Sequence, residues 1–380
     1  MSHIVRCFRS YQELPDHYVE VLTVAATKGF FYEQPWFEFL MKDYYAKDSE
    51  FFLYSVEDSE SCAPLLLMPM RFTQIDGAVH GAKTLSTVGH MENFSLLSVI
   101  FSDKLESQKD RLNVLGALFN VFKCGDSELQ HPKVDVLRLW PVDVGGEMED
   151  IVYGALKQAD FLVQQYENSY NQYENTSGLS YEEYFENRSS NHRYNVRRRQ
   201  RNLEKAGNLE FCFYSDGAEE DIYQKCMDGY ILSSVESWKS PGSMTSRGIL
   251  DLIKLTAKLG HLRLGVIFLN GRPMAAQFWI VSGGVGHCMR LAYDEAYKKD
   301  APGVVLTHFI MEHLLDTDHV DAVDFGYGDD EYKSKWMKDS RHYAGFMAFN
   351  SSTILGLFFG AKHIVGRKVK RILKRITRRA

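Results

Sequence analysis

The chain has 380 residues, 45% of them apolar and 25% charged, with a net charge of −6. That length exceeds one ordinary core and suits two domains, and the composition excludes long disordered stretches. The charge is uneven: residues 361–380 hold nine Lys or Arg and no acid, leaving the first 360 at −15, which argues against nucleic-acid binding over the whole surface.

In the first half, "WFEFLMKDYY" has helical spacing, and "FFLYSVEDSESCAPLLLMPM" reads as strand, turn and second strand. "RLNVLGALFNVF" predicts an apolar helix and "KVDVLRLW" a strand after it. The polar run 167–180 has little apolar periodicity and reads as the domain boundary. Helices follow, with Ser180 and Glu183 spaced as a capping box.

The second half repeats the order. "RGILDLIKLTAKLG" predicts a helix that stops at a glycine, and three strands follow, the first two joined by Asn270-Gly271, a strong hairpin signal. "APGVVLTHFIMEHLLDTD" predicts a helix with Pro302 in its first turn. "VDAVDFGYG" is a strand running into a loop, "EYKSKW" one helical turn, and "AGFMAFN" a last strand. "VDVLRLW" and "VDAVDFG" hold the same place after a helix, as two diverged copies of one α/β unit would.

Cys7, Cys62, Cys124, Cys212, Cys226 and Cys288 form no C-x-x-C pair, and Arg6 and Arg9 lead into no apolar run. The expectation is reduced, buried thiols in a cytoplasmic protein without a secretory signal. "STILGLFFGA" is too short to span a bilayer. In "HFIMEH" the spacing is one residue too long for H-x-x-E-H, so no metal site is expected.

"NHRYNVRRRQRNLEKAG", "GRPMAAQFWI", "YDEAYKKDAPGVVLTHFIMEHL" and "VDFGYGDDEYKSKW" stand in that order between residues 182 and 336. This stretch resembles the acetyltransferases with a duplicated GNAT fold, related to FemAB-type transferases. That group includes the CelD-like proteins of cellulose biosynthesis and the BioF2-like acetyltransferase domain. The resemblance implies an α/β fold (α+β, mixed sheets) of two tandem GNAT-like domains, here 1–170 and 171–350, followed by a basic helix over 351–380. It implies acyl transfer, from acetyl-CoA or another acyl-CoA and with no metal, to an amine or hydroxyl of a sugar-containing metabolite or cell-surface polysaccharide precursor. Some relatives use aminoacyl-tRNA instead, and a non-catalytic membrane-surface factor for polysaccharide assembly is the remaining alternative. The usual phosphate signature, Q/R-x-x-G-x-G/A, is replaced by "KKDAPGVV".

In that loop Lys298 and Lys299 lead into a helix start at Pro302, Gly303 and Val304, where exposed amides and the helix dipole would hold a pyrophosphate. A plain Pro-Gly helix start is the alternative. The preceding strand carries Arg290 and Asp294 on one face, either toward the donor or as a salt bridge. In the GNAT arrangement this strand splays from its neighbour to take the pantetheine arm.

Arg193, Arg197, Arg201 and Lys205 are spaced to form one helical stripe, for which Glu204 is the nearby acid, and the stripe is an anion-binding candidate or a solvated face. Trp238 and Lys239 are weaker candidates beside an acceptor. In "FGYGDDEYKSKW", Asp324 just before it, Asp329 and Glu331 are candidate bases. Tyr332 and Lys333 are candidates to protonate the thiolate or bind phosphate, and Trp336 reads as packing. The basic tail has an apolar side of Val365, Val369, Ile372, Leu373 and Ile376. It is expected to lie on the anionic inner face of a membrane, to dock on the acidic body, or to stay disordered.

Overall fold

The Asn270-Gly271 pair folds as its residue types demand: both residues have positive φ, 52° and 78°, the geometry of a type I′ hairpin turn. The computed structural model containing this turn describes residues 3–45, 49–74, 77–89, 97, 99–129, 131–235 and 246–366. The first half runs β1 (His3–Phe8), α1 (Val19–Thr27), α2 (Gln34–Phe39), β2 (Glu50–Asp58), β3 (Pro64–Thr73), β4 (Thr84–Thr87), β5 (Ile100–Phe101), α3 (Gln108–Cys124), β6 (Val136–Asp143), α4 (Glu147–Gln158) and β7 (Leu162–Asn175). Then come α5 (Tyr181–Glu186), α6 (Ser190–Ala206), β8 (Leu209–Tyr214), α7 (Glu220–Val235), α8 (Ser246–Lys258), β9 (Leu262–Leu269), β10 (Arg272–Ser282) and β11 (Val285–Tyr293). The chain continues through α9 (Pro302–Asp316), β12 (Ala322–Tyr327), α10 (Glu331–Trp336), β13 (Asp339–Phe349) and α11 (Ile354–Gly360). No helix among the described residues is long and apolar enough to cross a membrane.

The chain divides into two units, residues 1–169 with 342–380, and residues 170–341. In the first unit β1, β2, β3 and β4 are antiparallel neighbours, α3 crosses over, and β6 joins β4 in parallel. Residues 343–349 of β13 complete it, antiparallel to β6. Its core includes Leu66 and Met68 of the sheet with Leu115, Phe119 and Phe122 of α3.

The second unit repeats that topology. β8, β9, β10 and β11 are antiparallel neighbours, α9 crosses over, and β12 joins β11 in parallel, with residues 171–175 antiparallel to β12. The fold is mixed α/β, and the duplication visible in element order is a duplication of topology. β9 shows how the sheet is covered. A Cβ on Gly265 would meet Ile310 of α9, whereas a Cβ on Gly229 of α7 would meet Val266. Adjacent residues of a strand point to opposite faces, so α9 lies on one side and α7 on the other.

Two expectations change. The division between the units falls within the polar run at 167–180, but that run, which lacks a strand's apolar alternation, is mostly strand: β7 extends to Asn175. Its polarity hides the strand because Asn171 and Glu174 are buried among polar partners rather than in an apolar core. The capping box at Ser180 and Glu183 is formed as expected. The thiols are all free, but Cys62 and Cys124 are exposed, since they sit in a turn and at a helix end rather than on an inward face.

Candidate active site

β11 and β12 lie in parallel register over Val285–His287 and Ala322–Asp324. β11 then continues to Tyr293 in register with β10, while β12 continues to Tyr327 beside β7. The parallel ladder therefore ends at His287 and Asp324, where the strands part. The register of β10 against β11 shifts at the same level, between Phe278/Arg290 and Trp279/Cys288, leaving Met289 as the extra residue of a bulge. A bulge re-aims the groups beside it and is common next to active sites.

The loop after β11 carries the basic candidates. Lys298 and Lys299 are exposed, and Lys298 reaches Glu295 at 3.4 Å. Ala301 is left-handed (φ 48°, ψ 57°), a conformation a residue with a Cβ adopts at a cost, and Pro302 begins α9 directly after it. Gly303 is buried, and a Cβ there would stand 3.1 Å from Leu291 Cδ1. The glycine thus lets the first turn of α9 close on β11. Gln277 of β10 anchors that turn: its amide donates to the Gly303 carbonyl (3.1 Å) and Thr307 Oγ1 (2.7 Å), and Trp279 Nε1 donates to its carbonyl (2.8 Å). Val304 is half-buried beside the core. Arg290 is half-buried on β11. The ion partner of Asp294 is Arg272 at 2.8 Å and not Arg290, because hairpin register brings the start of β10 to the end of β11.

The arginine stripe divides. Arg193 and Arg197 both pair with Glu186 of α5, and Arg197 stacks over Phe185 at 5.5 Å. The acid that balances the stripe therefore comes from the preceding helix, which spacing along α6 cannot reveal. Arg201 donates to the Arg197 carbonyl at 3.2 Å. Arg199 donates to the Lys299 carbonyl at 3.3 Å, which brings α6 against the basic loop. Trp238 and Lys239 lie outside the described residues.

Midway along β12, where the parallel ladder stops, the carboxylate of Asp324 is buried. It accepts from Asn171 Nδ2 (2.7 Å), the Gly326 amide (2.6 Å) and Arg341 Nη2 (2.6 Å). Arg341 Nε also donates to Asn171 Oδ1 (2.7 Å), closing a triangle, and its guanidinium lies 4.6 Å from the Tyr173 ring centre. His287 is buried beside this group, and burial lowers its pKa to about 4, so it is neutral. Sequence reasoning missed Asn171, His287 and Arg341. Their only sequence signal is polarity within strands, and their partners are far away along the chain.

Beyond Asp324, Gly326 and Gly328 take positive φ (68° and 113°), and the Gly328 amide donates to the Tyr170 carbonyl at 2.8 Å. Lys333 is buried and donates to the Tyr327 carbonyl at 2.6 Å, with Asp330 at 3.7 Å, so it ties α10 to the turn. Asp329 and Glu331 are exposed, and Lys335 at 2.9 Å from Glu331 lowers that carboxyl's pKa. Tyr332 packs edge-on to Phe325 with ring centres 6.5 Å apart. Burial, helped by nearby Cys288, raises its phenol well above the usual tyrosine range. Trp336 is buried, and His192 meets its ring at 4.6 Å.

Residues 190–334, from α6 to α10, match the acetyltransferase (GNAT) domain family. No curated protein matches the chain. Among solved structures, FemX is similar at TM-score 0.55 and 10% identity, covering 92% of this chain and 97% of its own. A conserved protein of unknown function from Bacteroides thetaiotaomicron VPI-5482 is similar at TM-score 0.55 and 8% identity, covering 91% and 100%. At these identities the likeness is one of fold. The second unit carries a GNAT acetyltransferase domain, and the protein is an acyltransferase.

Proposed function

We propose that the protein moves an acyl group from acyl-CoA to an amino or hydroxyl group of a sugar-containing metabolite or surface-polysaccharide precursor. One observation carries the donor side: the parting of β11 from β12 next to the basic loop that opens α9. The thioester arm would enter along β11. The pyrophosphate would meet the first turn of α9, with Arg199 and Lys299 supplying charge. The acceptor class rests on the resemblance of residues 182–336 to the duplicated-GNAT group.

For an amine acceptor, the nitrogen attacks the thioester carbonyl, the C–N bond forms and the C–S bond breaks. Tyr332, which burial keeps protonated to high pH, donates its proton to the departing thiolate and recovers one from water, so no buried phenolate persists. The nucleophile enters as the free amine and releases its surplus proton to water. Asp324 positions rather than abstracts, because three donors already engage its oxygens. Alignment of the two reactants supplies most of the rate.

An aminoacyl-tRNA donor is the second reading. It is favoured by the exposed cations Arg198, Arg201 and Lys205 on α6. Thermal shift with CoA, acetyl-CoA, long acyl-CoAs and tRNA separates the two. Stabilisation by a thioester supports acyl-CoA. A response to tRNA alone, weakening steeply with salt, overturns it.

A further inference from the structure

α11 is apolar on two sides. Gly356, Phe359 and Gly360 are buried, and a Cβ on Gly360 would stand 3.2 Å from Leu162 Cδ1 and 3.3 Å from Phe349 Cβ, so small residues seat the helix closely. The other side is turned outward: Ile354, Leu355, Leu357 and Phe358 are 87, 40, 50 and 59% exposed. Four large apolar side chains within five residues of one helix make a contiguous patch of the kind that marks an interaction surface.

Charge indicates what covers the patch. Residues 340–380 contain no acid, and nine of the last twenty are Lys or Arg. Exposed Lys362 lies two residues past the end of the helix. A second copy of the chain docked face to face would bring two such segments together against their mutual repulsion. An anionic bilayer offers the complement on both counts, with negative phosphates outside and an apolar layer beneath. The first 360 residues, at −15, are repelled by the same surface, so only this end of the chain is drawn to it.

We infer that the outward face of α11 docks on an anionic membrane surface. Ile354 and Phe358 enter the boundary between headgroups and acyl chains, and the basic sequence from Lys362 onward supplies the electrostatic attraction. This places the enzyme beside a membrane whichever acyl donor it uses.

The test is co-sedimentation of the full-length protein with vesicles of phosphatidylcholine alone, or of phosphatidylcholine with one-third phosphatidylglycerol. Binding should be at least about tenfold tighter to the anionic vesicles and should fall as salt rises. The double variant Ile354→Ser/Phe358→Ser removes two exposed side chains, so its melting temperature and its turnover of soluble donor should match the parent. Its anionic-vesicle binding should fall about tenfold or more at low salt. Three results would overturn the inference. They are equal binding to both vesicle types, unchanged binding by the double variant, and a concentration-dependent dimer that the variant abolishes without any vesicle binding.

Discussion

Replacing Arg341 with Met decides how the middle of β12 is held. The substitution removes the 2.6 Å ion pair to Asp324 and the 2.7 Å bond to Asn171 Oδ1, and leaves a buried carboxylate with two neutral donors. Breaking a buried pair from one side costs about 3–5 kcal/mol. The Arg341 side chain is 24% exposed against 3% for Asp324, so solvent screening puts the cost near the low end, about 3 kcal/mol. For a unit of this size that is a fall of about 6–12 °C in melting temperature, read by calorimetry. Adding Asp324→Asn removes the stranded charge and should restore about half of the loss, a coupling that independent sites would not show. Asp324→Asn alone also separates positioning from proton abstraction. Assayed at a temperature where it is folded, it should keep kcat within about tenfold, whereas loss of a general base costs about 10²–10⁴. A fall of that larger size, or an Arg341→Met melting temperature within 2 °C of the parent, would refute the reasoning.

Tyr332→Phe should lower kcat about 10²-fold or more with acyl-CoA while leaving KM and melting temperature nearly unchanged, and a donor with a more acidic thiol should suffer less. Because burial raises the phenol's pKa, kcat/KM should rise with pH to a plateau with no descending limb below pH 10; a descending limb near neutrality would remove Tyr332 as the acid. Buried His192 and His287 and half-buried His308 have pKa values lowered by desolvation to about 4 from 6.5. Between those values the unfolded chain binds more protons than the folded one, so stability should fall as pH drops from 6.5 toward 4, by about 2 kcal/mol per histidine at pH 5. Melting curves across that range check this, and His192→Phe should flatten the dependence. Ala301→Gly should relieve the left-handed backbone and raise stability by up to about 1 kcal/mol in denaturant titration; a comparable loss would show that the loop carries no strain there.

Much of the second unit was legible locally. The Asn270-Gly271 hairpin, the capping box at Ser180 and the Pro302 helix start each depend on neighbours within a few residues, and all three are formed. The polar strand β7 was hidden because strand signals rest on apolar alternation, and Asn171 and Glu174 serve buried polar partners instead. The arginine stripe was visible, but its pairing with Glu186 depends on how α5 meets α6.

Residue order alone carried the α/β class, the repeat and the stretch that turned out to match a GNAT acetyltransferase domain, because periodicity, turn chemistry and motif order are properties of neighbours along the chain. Tertiary structure decided what each polar group is committed to. It joined Asn171, Asp324 and Arg341 into one buried triangle, set Arg199 against the Lys299 loop, and returned residues 343–349 to the first unit's sheet. Those pairings span up to about two hundred residues of chain, so no local pattern encodes them. They follow from the need of each buried donor, acceptor and charge to find a partner when the sheet forms.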